Sequence, residues 1–250
     1  MLLAIDVGNS NIVFAVLQDG SVHNRYRMET LRTGSKEQYA AVLQGSGILC
    51  EGINGAILSS VVPEVDKAIV DAVKMSAGLT CLQVTPAMRV DMPICLDQPQ
   101  TLAADIICGC VGAKMLADGP VAVVDMGTAT TIVVVDQEGQ YRGGTIMPGV
   151  KLGLAALTSG TSLLPEMVIA KPGKVIATET AESLLGGAVY GAAAMVDGVV
   201  CRMEEELGYP LKIVMTGGLG AVVAPYCKRE VRYDEDLVFR GMAALYDMNR

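Results

Sequence analysis

Asp6-Val-Gly8-Asn-Ser-Asn11 and Asp125-Met-Gly127-Thr-Ala-Thr130 share the form Asp-x-Gly-x-x-x. In such a run glycine lets the backbone approach an anion, successive N–H groups and short hydroxyl or amide side chains donate to phosphate oxygens, and the carboxylate holds a hydrated cation. The set suits the phosphates of a nucleotide. Either run alone also reads as a plain tight turn between strands, but two copies at the heads of two matching segments favour a ligand. Two more glycine clusters carry open alternatives. Met215-Thr-Gly-Gly218-Leu-Gly220 offers either bare backbone to a nucleoside or a helix packed tightly on a strand end. Gly143-Gly-Thr-Ile-Met-Pro-Gly149 offers either a helix entrance whose free N–H groups face phosphate or a tight strand-to-helix turn.

The elements that position these runs come in two copies. Leu3-Ala-Ile-Asp6 through Gly20 lies over Ala122-Val-Val-Asp125 through Gly139 without a gap, so that Asp6 matches Asp125 and Gly8 matches Gly127. In each copy an aliphatic run ends at the aspartate, a second follows the turn, and Asp-Gly or Glu-Gly closes a hairpin. Ser35-Lys-Glu-Gln38 has the form of a capping box ahead of a helix. Strands are expected over 54–59, 80–84 and 212–215, and helices over 63–77, 179–207 and 236–247. This order implies an α/β fold with parallel crossovers. The halves divide at Ala117-Asp118-Gly119-Pro120, giving residues 1–117 and 118–250, with a ligand in the cleft between them. Residues 86–100, with three prolines and no period, form a long loop, and loops of that length in compact domains are usually functional.

Composition narrows the classes. Hydrophobic residues make up 51% of the chain and charged ones 18%, which excludes a disordered chain. A net charge of −8 would repel a phosphate backbone, so nucleic acid is not an expected partner. The start lacks a basic region before its apolar run, and no charge-free run reaches the roughly 18 apolar residues of a membrane span, so a cytoplasmic protein with reduced thiols is expected. Cys108-Gly-Cys110 could be half of a metal site, but there is no second pair and His23 is the only histidine. Small core thiols are the better reading.

The motifs resemble those of the kinases and ATPases that include acetate kinase, the sugar kinases and actin, and within them the type III pantothenate kinases. The resemblance rests on the Asp6 and Asp125 runs, on Leu58-Ser-Ser-Val-Val-Pro63, on Gly143 to Gly149, on Val196-Asp-Gly-Val199 and on Thr216-Gly-Gly-Leu219, in the family's order through nearly the whole chain. It implies duplicated ribonuclease H-like (actin-like ATPase) domains with an interdomain cleft, and phosphorylation of pantothenate by ATP, the first step of coenzyme A biosynthesis. It also implies that Asp6, Val7, Gly8, Asn9, Ser10, Asn11, Ile12 and Val13 hold the ATP phosphates, with magnesium held by Asp6 through water, and that Thr128 touches ATP. Asp125 would bind a monovalent cation, potassium or ammonium. Asp105 would be the catalytic base, Ala103, Ala104, Asp105 and Ile106 would contact pantothenate, and Thr180 would reach it from the neighbouring subunit of a homodimer.

The chain departs from the family at one place. Where the family has Gly-Ala-Asp-Arg, this chain has Ala103-Ala104-Asp105-Ile106, keeping the carboxylate and losing the cation beside it. A charge-assisted contact of that kind is worth about 1.5–3 kcal/mol. Arg89, in the loop before it, is either a replacement or a solvated surface arginine. Asp105 is also placed to act as a carboxylate that stabilises a helix N-terminus, with Thr101 as the better cap. Two other functions stay open: a kinase of the same fold for another small hydroxyl compound, and a nucleotide-binding regulator that has lost turnover.

Overall fold

The structure, a computed structural model, describes residues 1–250. It falls into two compact units, Met1–Met115 with Asp236–Arg250, and Leu116–Glu235.

The first unit runs β1 (Leu2–Val7), β2 (Asn11–Gln18), β3 (Ser21–Glu29), α1 (Lys36–Gly45), β4 (Gly55–Ser60), α2 (Pro63–Ala77), β5 (Cys81–Gln83) and α3 (Ala104–Leu116). Its strand order is β3-β2-β1-β4-β5, antiparallel from β3 to β1 and parallel from β1 to β5. One face of the sheet, with Leu3, Ile5, Phe14 and Val16, buries against Tyr39 and Leu43 of α1 and Ile69 and Val73 of α2. The capping box expected at Ser35 is formed: the Gln38 N–H donates to the Ser35 hydroxyl at 3.3 Å and the Ser35 N–H to the Gln38 side chain at 2.8 Å. Asp19 and Gly20, both at positive φ (51° and 75°), make the two-residue turn between β2 and β3.

The second unit repeats the plan with β6 (Val121–Met126), β7 (Ala129–Val135), β8 (Tyr141–Pro148), α4 (Val150–Ser159), α5 (Thr180–Leu207), β9 (Lys212–Thr216), the short α6 (Gly220–Val223) and β10 (Val231–Tyr233). Its order, β10-β9-β6-β7-β8, is the first sheet's order written backwards, with the same mixture of antiparallel and parallel pairs. The duplication is therefore one of topology as well as sequence. Helix α5 lays Ala192, Ala193, Val196 and Val200 into this unit's core. By length and composition it is also apolar enough to cross a membrane, with a mean hydropathy of 1.6 over its best window, of which 33% is buried here.

Two expectations need adjustment. The gap-free overlay of the copies slips by one residue after the turn. Asp6 pairs with Val13, whereas Asp125 pairs with Thr131, the residue overlaid on Ile12. Side chains alternate along a strand, so a one-residue slip would turn every apolar side chain to the other face. Shortening the second turn by one residue instead puts Ile132 and Val134 into the core as Phe14 and Val16 are in the first unit. The last helix, α7 (Leu237–Asn249), follows the second unit in sequence but packs with the first. It crosses α3 where Gly112 faces Leu237 and Gly241 faces Cys108, and its Tyr246 occupies the space a side chain at Gly55 would need. Arg25 and Asp236 pair at 2.7 Å near its start.

Candidate functional site

In the first unit the β1–β2 connection is a tight turn closed by the Gly8 N–H donating to the Asn11 carbonyl at 2.9 Å. Asp6 is half-buried near the end of β1, while Asn9 and Ser10 are exposed at the tip. Val7, Ile12 and Val13 bury their side chains in the sheet, so only their backbone is available to a ligand. The segment after β3 braces the turn. Thr30 donates its hydroxyl to Gly8 O at 2.7 Å and its N–H to Ser10 O at 3.2 Å. Arg32 donates to Asn9 Oδ1 at 2.8 Å.

The second unit builds its counterpart between β6 and β7, where the Gly127 N–H donates to Ala129 O at 3.1 Å. Gly127 and Thr128 are exposed and Asp125 is half-buried. Both glycine clusters left open by the sequence meet this turn. The Gly149 N–H donates to Thr128 O at 3.1 Å, and a Cβ on Gly149 would meet the Thr128 and Gly127 carbonyls. Gly217, at φ +90°, leaves no room for a Cβ beside Met126, whose N and C would lie 2.6 Å away, or beside the Asp125 carboxylate. Gly218 has open space where its side chain would be, and Gly220 packs against Tyr233. The turn is thus held by close packing at Gly149 and Gly217, and only Gly218 leaves bare backbone free.

Asp105 lies in the first turn of α3, and its Oδ1 accepts from the Ile106 N–H at 2.7 Å. Burial pushes its pKa up, against the opposing pull of the Ile106 and Asp105 N–H groups. That direction suits a base, because it makes the carboxylate a better proton acceptor. Thr101 does not cap this helix. It sits in the preceding turn, with its hydroxyl on Gln98 O at 2.8 Å, and Ala103 accepts the first helical bond, from the Ile107 N–H at 3.1 Å. Arg89 is tied to α7: its N–H donates to Asn249 Oδ1 at 2.9 Å and its carbonyl accepts from Asn249 Nδ2 at 2.9 Å. Ala104 is buried and Ala103 and Ile106 half-buried; Thr180 is exposed as the first residue of α5. A cavity of about 330 Å³ lies between α4 and α5, walled by Gly149, Leu154, Leu157, Ser183 and Met195.

Within the first unit Asp6 and Asp105 share a neighbour the sequence did not single out for this role. Cys108 is fully buried, and its thiol is pushed well up by burial first and then by Asp6, with Asp105 adding to it and the Ser59 hydroxyl opposing. Ser59 faces Asp6 across the β1–β4 pair, as Thr216 faces Asp125 across β6–β9. Cys108 and Cys110 are both buried free thiols, and no group of three or more His, Cys, Asp or Glu side chains is arranged to hold a metal. The donors around Asp6 and Asp125 are carboxylate, hydroxyl and carbonyl oxygens, the chemistry of a hard cation, and Thr130 Oγ1 beside the second turn is buried without a partner. An oxygen-liganded cation fits that set.

The model of the type III pantothenate kinase family matches residues 2–202. The chain is 36% identical to the type III pantothenate kinase of Myxococcus xanthus, covering 100% of this chain and 99% of that one, and 34% identical to that of Halalkalibacterium halodurans, covering both completely. Among solved structures it is similar in fold to the ethanolamine utilization protein EutJ of Carboxydothermus hydrogenoformans, at TM-score 0.55, 15% identity and coverage of 97% and 89%. It is also similar to a ROK family glucokinase of Streptomyces griseus in complex with glucose and AMPPNP, at TM-score 0.52, 12% identity and coverage of 100% and 99%. These distant likenesses support the actin-like ATPase and sugar kinase fold expected from the motifs. With relatives this similar along their whole length, the chain belongs to the type III pantothenate kinase family.

Proposed function

We propose that this protein transfers the γ-phosphoryl group of ATP to the primary hydroxyl of pantothenate, opening coenzyme A biosynthesis. The observation that carries this reading is the pair of Asp-x-Gly turns at equivalent strand ends of two sheets with one topology, in a chain of this family. Phosphoryl transfer passes through a loose transition state, so catalysis is mostly positioning and charge neutralisation. The first turn would offer ATP the N–H groups from Asn9 to Asn11, the close approach of Gly8 and the side chains of Asn9 and Ser10, and Thr128 would touch ATP from the second. Magnesium, held by Asp6 through water, would supply positive charge to the phosphates, and potassium or ammonium at Asp125 would supply it at the second turn. Asp105 would orient the acceptor hydroxyl and take its proton, with its burial raising its basicity.

A homodimer belongs to this reading, with Thr180 completing a neighbour's acceptor site. Supporting it, Ile146, Leu163, Val168, Val175 and Ile176 of the second unit are 70–90% exposed, apolar side chains that a second copy would cover. The test is ADP release with pantothenate, magnesium and potassium. Asp105→Asn is expected to lose about 10²–10⁴-fold in turnover while binding ATP as the wild type does. Wild-type turnover in that variant removes Asp105 from the chemistry.

The half-buried Ile106 favours a second reading, a kinase for a hydroxyl compound that lacks the carboxylate. Ile106→Arg is expected to lower the KM for pantothenate roughly 10- to 100-fold. An unchanged KM, with faster turnover of analogues lacking the carboxylate, would favour the other acceptor.

A further inference from the structure

The tip of the first turn is exposed at Asn9 and Ser10, so packing alone does not fix it. Two features of the fold meet there. Arg32 spreads its guanidinium between two partners: one terminal nitrogen lies 2.8 Å from Asn9 Oδ1 and the other 2.5 Å from Glu64 Oε1 in the first turn of α2. The second is the run Leu58-Ser-Ser-Val-Val-Pro63, to which the reading above gives no role. Its Val61 N–H donates to Val7 O at 3.0 Å, its Ser60 hydroxyl accepts from the Val62 N–H at 3.0 Å, and Pro63 then starts the helix that carries Glu64. The run joins the strand that enters the turn to the carboxylate that anchors Arg32.

The chemistry of the pair fixes an orientation. A guanidinium has five N–H donors and no acceptor, so an amide facing it must present oxygen. With Oδ1 committed to Arg32, the two Nδ2 donors of Asn9 point the other way. Reversed, the amide would turn an acceptor toward the phosphates and its N–H groups toward a cation. We infer that Arg32 is a positioning residue that holds the Asn9 carboxamide with its Nδ2 donors toward the ATP phosphates, with Glu64 holding Arg32 in place. The inference rests on the reading of the Asp6–Val13 turn as an ATP site.

The test uses the full chain with Arg32→Ala, Arg32→Lys, Asn9→Ala and the double variant, measuring magnesium–AMPPNP binding by calorimetry, KM and kcat, and thermal stability. Asn9→Ala removes a donor to a charged group and is expected to weaken nucleotide binding roughly 10- to 100-fold. Arg32→Ala releases a side chain that must be immobilised again on binding, expected to raise the KM for ATP roughly 3- to 10-fold with kcat unchanged. Arg32→Lys should fall between it and the wild type, because one ammonium replaces a fork with two partners. The double variant should bind no more weakly than Asn9→Ala. If loss of Arg32 costs as much without Asn9 as with it, Arg32 meets the phosphates itself and the inference is overturned. A wild-type KM for ATP in Arg32→Ala overturns it too; where that variant fails to fold, a wild-type KM in Arg32→Lys does the same. Failure of the wild type to bind AMPPNP refutes the ATP site itself, and the inference with it.

Discussion

Gly149→Ala is the sharpest test of how the second turn is held. A Cβ at this position would lie 2.8 Å from the Thr128 carbonyl carbon and closer still to the Thr128 and Gly127 oxygens, where ordinary contact begins at 3.4 Å. The obstacle is backbone on the turn itself, so no side-chain rotation relieves it, and the same Thr128 carbonyl accepts the Gly149 N–H. Either α4 or the turn has to move by about 1 Å to restore contact. Overpacking of this sort costs about 1–3 kcal/mol, which for a chain of this size lowers Tm by about 2–12 °C. If the turn is what moves, Thr128 leaves its place, and a misplacement of about 1 Å can cost about 10²-fold in rate. Calorimetry with AMPPNP, KM for ATP and a thermal melt separate the two effects. Gly45→Ala is the control, because its Cβ would meet nothing within 4 Å, and at the end of α1 it should be as stable as wild type or up to about 1 kcal/mol more so, never less. Wild-type Tm and wild-type nucleotide affinity in Gly149→Ala would refute the packing argument. A lowered Tm with unchanged affinity would show that α4, and not the turn, gives way.

Asp105→Asn should be more stable than wild type at neutral pH. Burial raises the Asp105 pKa in the folded state, so its favourable contribution is complete below the ordinary aspartate value of about 3.9 and is lost as pH rises through the raised value. The Tm gap should therefore close on acidification, and a gap independent of pH would show that the carboxylate pays no cost for burial. Glu204 titrates in the opposite sense: the Arg229 side chain, first among the causes, holds its pKa down. Its stabilisation is present above the usual glutamate range of about 4.3 and lost as pH falls through the depressed value, so the Tm deficit of Glu204→Gln should shrink below that range. Thiol titration should find Cys50, Cys95 and Cys201 reacting promptly. Cys227, half-exposed with its pKa raised to about 11, should react slowly, and Cys81, Cys108 and Cys110 only on unfolding. Prompt reaction of Cys108 would contradict its burial between Asp6 and Asp105.

Asp6 and Asp125 could be found in the sequence because their chemistry is local. A carboxylate, a glycine and short polar side chains within six residues announce a turn wherever the chain carries it. The one-residue slip beyond the second turn could not, for β7 reads Ala129-Thr-Thr-Ile-Val-Val-Val135, an almost unbroken apolar run that fits either phase of the alternation. The place of Arg32 is written in the hairpin that precedes it. A hairpin closed at Asp19-Gly20 lays Glu29 beside Asn11, which brings Thr30 and Arg32 to the tip of the first turn. A bulge between Val16 and Leu17 shifts that register by one, so counting from the turn alone lands on the wrong partner.

The return of α7 to the first unit is legible only in what its partners lack. Local periodicity marks Leu237–Asn249 as a helix with one apolar face, and either sheet could receive that face. Gly112, Gly241 and Gly55 decide between them, because α3, α7 and β4 approach where a side chain on any of the three would strike its neighbour. Glycine in a helix interior costs about 1 kcal/mol relative to alanine, and Gly112 and Gly241 repay it only through this crossing. The crossing in turn backs α3 at Cys108, the residue beside Asp6 and Asp105. The unit that holds the proposed base is therefore completed by the segment farthest from it in sequence, and the arrangement of its carboxylates depends on a helix that no local pattern assigns to it.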